Sequence, residues 1–180
     1  MIDLTHYIKV YKNIIPLDLR NEILNDTHLH KTLERAKAGI RDVETPLRNC
    51  YSTLIRHSHY ESEIHKAVGK VLNNYCIDIK HFMTGITTED TGYVLLLYKG
   101  KEKGEYKEHT DHADLYPRVL SISLILNDNY DGGNFSFFNG QYTVKKEAGS
   151  VVAFPSNFCF PHAITPISNG DRYAIITWIH

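Results

Sequence analysis

The sequence predicts an α+β fold: a double-stranded β-helix, the jelly-roll or cupin type of closure, with N-terminal helices packed on one of its sheets. Three observations predict it. Apolar residues recur at three- and four-residue intervals only in the first half of the chain, near Pro16–Leu24 and from Tyr60 to about Phe82. After Gly85 the pattern changes to short apolar or alternating runs separated by Gly, Asn, Asp and Pro. No internal repeat, low-complexity tract or second domain interrupts the 180 residues. We therefore expect one domain over 1–180, with 1–90 as helical support and first strands and 91–180 as the jelly-roll core.

The elements follow in order. Residues 6–11, His-Tyr-Ile-Lys-Val-Tyr, alternate as a strand does. Pro16 opens the first helix, with Leu17, Leu19, Ile23 and Leu24 as its apolar members. Residues 27–46 are polar and broken by Gly39 and Pro46; helical turns and a loop both fit. Residues 47–55 read as a strand. From Tyr60 onward Ile64, Ala67, Val68, Val71, Leu72 and Tyr75 make one core-facing helical stripe. Tyr93–Tyr98 is a strand, Lys99–Glu105 a charged loop, and Tyr106–Glu108 leads into His109-Thr110-Asp111. Arg118–Leu126 is apolar enough for burial on both faces. After the turn cluster Asn127–Gly133, short strands are expected at Phe135–Phe138, Gln141–Val144, Ser150–Phe154, His162–Thr165 and Arg172–Ile179.

Composition narrows the function. Lys+Arg (20) nearly equals Asp+Glu (21), which gives no electrostatic footprint for a nucleic-acid partner. No apolar run is long enough to cross a membrane, and the opening Met-Ile-Asp-Leu-Thr-His lacks the basic and apolar regions of a secretory signal. Cys50, Cys76 and Cys159 are an odd set without paired spacing, as expected of buried, reduced thiols in a soluble cytoplasmic protein.

The chemistry concentrates in His109-Thr110-Asp111, His162 and Arg172. In an extended segment the spacing of His109 and Asp111 puts both side chains on one face. With His162, 53 residues later, they can cap one face of a ferrous ion and leave other positions open. His-x-Asp alone says little, and His112-Ala113-Asp114 offers a second one. Arg172 begins the last strand, with Ala174, Ile176 and Trp178 on its face. An arginine turned inward there needs an anionic partner, either a bound carboxylate or a protein acid such as Asp171. Tyr98 ends its strand and has a phenol to offer such a carboxylate; a plain strand-end tyrosine fits as well. Trp178 fits a pocket wall or plain core. His28, His30, His57, His59 and His65 lack a carboxylate in a matching strand and read as surface residues.

The ordered context of these residues resembles a known family. Tyr98, Gly104-Glu-Tyr106 and His109-Thr-Asp111 are followed by Arg118–Asn127 and Tyr130-Asp-Gly-Gly133, then by Gly149–Pro155, Phe160-Pro-His162-Ala and Gly170-Asp-Arg172-Tyr. This series is similar to the prolyl-4-hydroxylase-like branch of the 2-oxoglutarate- and Fe(II)-dependent dioxygenases. The resemblance runs through roughly residues 93–179 and is looser before that. It implies Fe(II) held by His109, Asp111 and His162, which favours this pair over His112 and Asp114. It also implies 2-oxoglutarate anchored at its distal carboxylate by Arg172 with Tyr98 assisting, O2 as oxidant and ascorbate as a supporting reductant. Apolar Ile122, Leu124, Val152 and Phe154 would line the pocket. The implied reaction is hydroxylation of a C–H bond with release of succinate and CO2. Peptidyl proline is the first substrate implied, in a peptide or protein, with a free amino acid or other small molecule as the alternative. A non-catalytic cupin-like binding module, or zinc or manganese in the same site, are the competing readings; residues 36–47 are a candidate substrate lid.

Overall fold

The computed structural model describes residues 3–37, 45–56, 58–80, 87, 89–113 and 117–180. Alternation in the second half of the chain resolves into two facing sheets. The strands are β1 (Lys9–Tyr11), β2 (Glu34–Arg35), β3 (Arg48–Asn49), β4 (Tyr51–Ile55), β5 (Tyr93–Lys99), β6 (Glu105–His109) and β7 (Leu120–Ile125). They continue with β8 (Asp131–Gly132), β9 (Phe135–Phe137), β10 (Tyr142–Val144), β11 (Val151–Pro155), β12 (His162–Ile164), β13 (Ile167–Asn169) and β14 (Asp171–Ile179). The larger sheet has seven strands in the order β1-β11-β7-β14-β5-β4-β2; the smaller has five, β10-β9-β12-β6-β3, and β13-β8 form a separate pair. All pairings are antiparallel.

The helices are α1 (Leu17–Asn25), α2 (Thr27–Lys31) and α3 (His59–Asp78). Pro16 stands at the N-cap of α1, where its missing N–H leaves no intrahelical bond unmade. Asp26 caps α2 by accepting from the N–H groups of His28 and Leu29 at 2.9 Å each. The expected stripe of α3 is buried at Ile64, Ala67, Val68, Val71 and Tyr75. These residues join Leu19, Ile23, Leu95, Leu120, Ile122, Leu124 and Ile175 in one apolar layer between the helices and the larger sheet. Each fully buried aliphatic side chain there contributes about 1.5–3 kcal/mol. A second cluster, with Tyr98, Ile125, Phe135, Phe137, Val152, Phe154 and Ile164, fills the space between the two sheets.

Several expectations shift. The N-terminal strand is shorter than residues 6–11, because Asp3 caps a 3-10 turn over Leu4–Tyr7. The expected strand 47–55 is two strands: β3 pairs with β6 in the smaller sheet and β4 with β5 in the larger. Cys50 is the corner between them, and its carbonyl accepts from the Ala36 N–H at 3.0 Å. Of the polar stretch 27–46, α2 and β2 are ordered elements; the candidate lid lies largely outside the described residues. β13 was not legible, being three residues between Pro166 and Gly170. Of the three cysteines only Cys50 is buried; Cys76 is half-buried and Cys159 exposed, and all are free thiols. His28, His59 and His65 are on the surface as expected, and His57 lies outside the described residues. His30 is half-buried, stacked on Tyr173 with centroids 5.3 Å apart. Among the described residues no helix is long and apolar enough to cross a membrane.

Candidate metal and cosubstrate site

His109 ends β6 and His162 begins β12, and the two are direct cross-strand partners. Asp111 follows β6 by two residues and turns back toward them. One ligand atom of each side chain lies within 4.8 Å of the others. The Asp111 carboxylate oxygens are 3.7 Å from His109 Nε2 and 3.6 Å from His162 Nε2. His162 and Asp111 are buried and His109 is half-buried. Of the second His-x-Asp, His112 is exposed and Asp114 lies outside the described residues.

The surroundings fix the orientation of the three groups and bias the protonation of His109 and Asp111. His109 Nδ1 meets the Lys107 carbonyl at 2.8 Å and His162 Nδ1 meets the Phe160 carbonyl at 3.1 Å. A carbonyl only accepts, so each Nδ1 carries a hydrogen and each Nε2 is turned toward the Asp111 carboxylate. Ser121 Oγ donates to Asp111 Oδ2 at 2.7 Å, and Ser156 Oγ donates to Ser121 Oγ at 2.8 Å. Burial pushes the His109 imidazole down to about 4, helped by the neighbouring His162 and opposed by Asp111. Burial alone would raise the Asp111 carboxyl; His162 and His109 outweigh it and hold the group below its ordinary value. A neutral imidazole beside an ionised carboxylate is the state that binds a divalent cation. Two imidazoles and one carboxylate suit iron, and the exposed Cys159 is no ligand.

Arg172 sits one strand system away, on β14 opposite Tyr98 of β5. It is only 2% exposed. Its guanidinium carbon lies 5.1 Å from the centroid of the Tyr98 ring. Among the described residues no acidic side chain pairs with it. The Asp171 carboxylate, the obvious protein partner, instead accepts from the Gly100 N–H at 2.9 Å. A Cβ at Gly100 would overlap the Gly170 carbonyl, so glycine is what lets the ends of β5 and β14 close over this pair. Burial drives the Tyr98 phenol strongly up, keeping it a neutral donor. Tyr130 borders the same guanidinium, whose charge pulls its pKa back against burial.

Residues 93–180 match the 2OG-Fe(II) oxygenase superfamily. This part of the chain is similar to the domain of that superfamily. Curated relatives include a PKHD-type hydroxylase of Alteromonas mediterranea, 36% identical over 90 residues covering 43% of this chain and 39% of that protein. A PKHD-type hydroxylase of Nitrosomonas europaea is 36% identical over 94 residues, covering 46% and 40%. The match thus spans well under half the length of these relatives. Among solved structures, a Trichoplax adhaerens prolyl hydroxylase in complex with a hypoxia inducible factor peptide fragment superposes with a TM-score of 0.76 at 19% identity, covering 97% of this chain and 84% of that one. A Pseudomonas putida prolyl-4-hydroxylase gives 0.74 at 20% identity, covering 98% and 93%. At such identities the likeness is one of fold, the double-stranded β-helix.

Within the matched residues the five positions singled out from the sequence fall into two groups, the triad and the Arg172–Tyr98 pair. The expected pocket lining is half wrong. Val152 and Phe154 face the space between the sheets, but Ile122 and Leu124 belong to the helix-side layer. Alternation along β7 turns Ser121, Ser123 and Ile125 inward instead. Two serines on a strand that is otherwise apolar were the available signal, since a small hydroxyl there has a polar neighbour to serve. Trp178 is a site residue and not plain core: half-buried, it pairs with Ser121 across the strands and lies under Arg118 at 3.6 Å. It helps keep the Asp111 carboxyl low, although its Nε1 has no hydrogen-bond partner of ordinary geometry.

Proposed function

We propose that this chain is an Fe(II)- and 2-oxoglutarate-dependent dioxygenase that hydroxylates a C–H bond, with peptidyl proline as the first substrate to test. His109, Asp111 and His162 are the proposed iron ligands, and Arg172 with Tyr98 the proposed cosubstrate site. The observation that carries the reading is the pairing of a preoriented His/Asp/His cluster with a buried guanidinium that lacks an acidic partner among the described residues. An unpaired buried charge is costly, and a dicarboxylate reaching from the cluster would relieve it. Iron, 2-oxoglutarate and O2 together supply the oxidising power, with succinate and CO2 as by-products.

The chain's own residues do the rest. The Lys107 and Phe160 carbonyls hold the two imidazoles with Nε2 forward. Ser121 holds the carboxylate. Arg172 neutralises and orients the far carboxylate as a planar fork. Phe135, Phe137 and Phe154 pack around His162, with ring centroids 5.5, 5.7 and 4.7 Å away, and keep water from its inner side. We further propose that 1–180 acts as one unit in the reducing cytoplasm, with ascorbate sustaining the ferrous state.

The test is succinate formation from 2-oxoglutarate with Fe(II) and ascorbate, followed by a mass-spectrometric screen of proline peptides and free amino acids for the gain of one oxygen atom. Succinate that depends on Fe(II) and rises with one substrate class supports the enzyme. No turnover with any of them, alongside retained partner binding, would favour a non-catalytic module.

A further inference from the structure

Two other guanidinium groups border the triad and have no task in the reading above. Arg48, at the start of β3, lies over the Tyr106 ring with its guanidinium carbon 4.9 Å from the centroid. Its Nη1 donates to the Lys37 carbonyl at 2.9 Å, and its Nε is buried without a hydrogen-bond partner. Arg118, just before β7, covers the Trp178 ring and donates to the Asp111 backbone carbonyl at 3.3 Å. Both arginines are half-buried. Among the described residues neither pairs with an acidic side chain.

They belong to one electrostatic neighbourhood. Tyr106 stacks on His109 with centroids 3.4 Å apart, so Arg48, Tyr106 and His109 form a continuous stack ending at the triad. Arg118 reaches the triad from its other side, through the Asp111 backbone carbonyl. Charge balance then isolates the pair. A divalent ion with Asp111 leaves one positive charge, Arg172 adds another, and the two carboxylates of 2-oxoglutarate cancel both. Among the described residues no acidic side chain pairs with Arg48 or Arg118, and a half-buried cation without an anionic partner is costly.

We propose that Arg48 and Arg118 form a carboxylate-binding subsite at the mouth of the site, so that the substrate carries a carboxylate beside the C–H bond that is hydroxylated. This rests on the oxygenase reading and goes further by naming a substrate class. The carboxylate has two possible sources, the α-carboxylate of a free amino acid or an acidic side chain next to the target residue in a peptide. Either fits the planar fork of an arginine, which a neutral amide does not satisfy in the same way.

Trp178 is the single tryptophan of the chain and Arg118 covers its ring, so its fluorescence reports an anion that draws Arg118 away. The protein is loaded with Mn(II) and N-oxalylglycine and titrated with matched probes: L-proline against L-prolinamide, and a blocked Ala-Pro-Asp-Ala peptide against Ala-Pro-Asn-Ala. In one pair the acid should bind roughly ten- to a hundredfold more tightly than its neutral partner, and which pair does so identifies the source. Arg48→Gln and Arg118→Gln should each remove most of that difference while the neutral probe shifts by less than about threefold. Arg48→Lys, which keeps charge but loses the fork, should restore part of it. Unchanged thermal melting shows that each variant is folded. Equal binding within both pairs overturns the subsite. So do variants that weaken acid and neutral probes alike, or an Arg48→Gln effect on N-oxalylglycine in place of the probes. Iron-dependent succinate formation without added substrate separates the two levels: succinate with indifferent probe pairs sinks the subsite alone, and its absence with no N-oxalylglycine binding sinks the enzyme reading.

Discussion

The two faces of the seven-stranded sheet use the same strands for different ends. On the helix side Leu95, Leu120, Ile122, Leu124 and Ile175 meet α1 and α3, and the layer is almost wholly apolar. On the inner side the same strands present Tyr98, Ser121, Arg172 and Trp178 among apolar neighbours. A period of two keeps the faces independent, since a residue and its chain neighbour never share one. The comparison teaches where substitutions should act. Changes on the inner face should cost chemistry, and changes on the outer face should cost stability.

The sharpest way to break that comparison is at the triad. His162→Ala removes one of three proposed ligands, and Fe(II)-dependent succinate formation should fall by about a thousandfold or more, the several kcal/mol that a bound metal supplies. Metal content should fall with it. Activity that persists with full metal content would place the ion elsewhere. Arg172→Ala comes next. It should raise the 2-oxoglutarate requirement by about 2–5 kcal/mol, the range for truncating one partner of a buried charge pair, while the Fe(II) requirement moves far less. Equal shifts in both would make the arginine structural.

The outer face gives the counterpart. Ile64 on α3 is fully buried in the helix-side layer. Ile64→Ala should destabilise the fold by about 2–5 kcal/mol, read as a lower denaturant midpoint. Its 2-oxoglutarate KM should stay that of the parent chain. A marked change in KM at unchanged stability would show that the two faces are coupled through the sheet.

The same division explains what was legible in the sequence. Periodicity announced α3, β5, β7 and β14 because each buries an apolar stripe, and burial leaves a pattern. The triad and Arg172 were legible because rare residue types stand in an ordered context. The corner at Cys50 was not, because two strands that part into different sheets look like one apolar run. Arg48 and Arg118 carried no site signal in the sequence; the fold shows them half-buried, with no acidic partner among the described residues. Ile122 and Leu124 were placed on the wrong face because both faces of β7 are buried, so hydrophobicity alone does not fix its phase. The position of Ser121 against Asp111 does.

The smallest effect sharpens the comparison through protons. The folded metal-free chain holds His109 at about 4, against 6.5 for an ordinary imidazole. Between those values the unfolded chain accepts a proton that the folded chain refuses. Protonation then favours unfolding, so stability present at neutral pH should be lost as pH falls through this window. Asp111 acts in the same direction but lower, because its carboxyl is held below an already acidic ordinary value of 3.8. The expected outcome is a melting temperature, followed by circular dichroism without metal, that declines from pH 6.5 toward 4. His109→Gln keeps a neutral polar side chain and should flatten the decline over that interval. A wild-type curve already flat there, or one parallel to the variant's, would show that the imidazole is not held neutral by its burial beside His162. Outer-face substitutions such as Ile64→Ala should lower the whole curve without changing its slope, because an apolar truncation removes no titrating group.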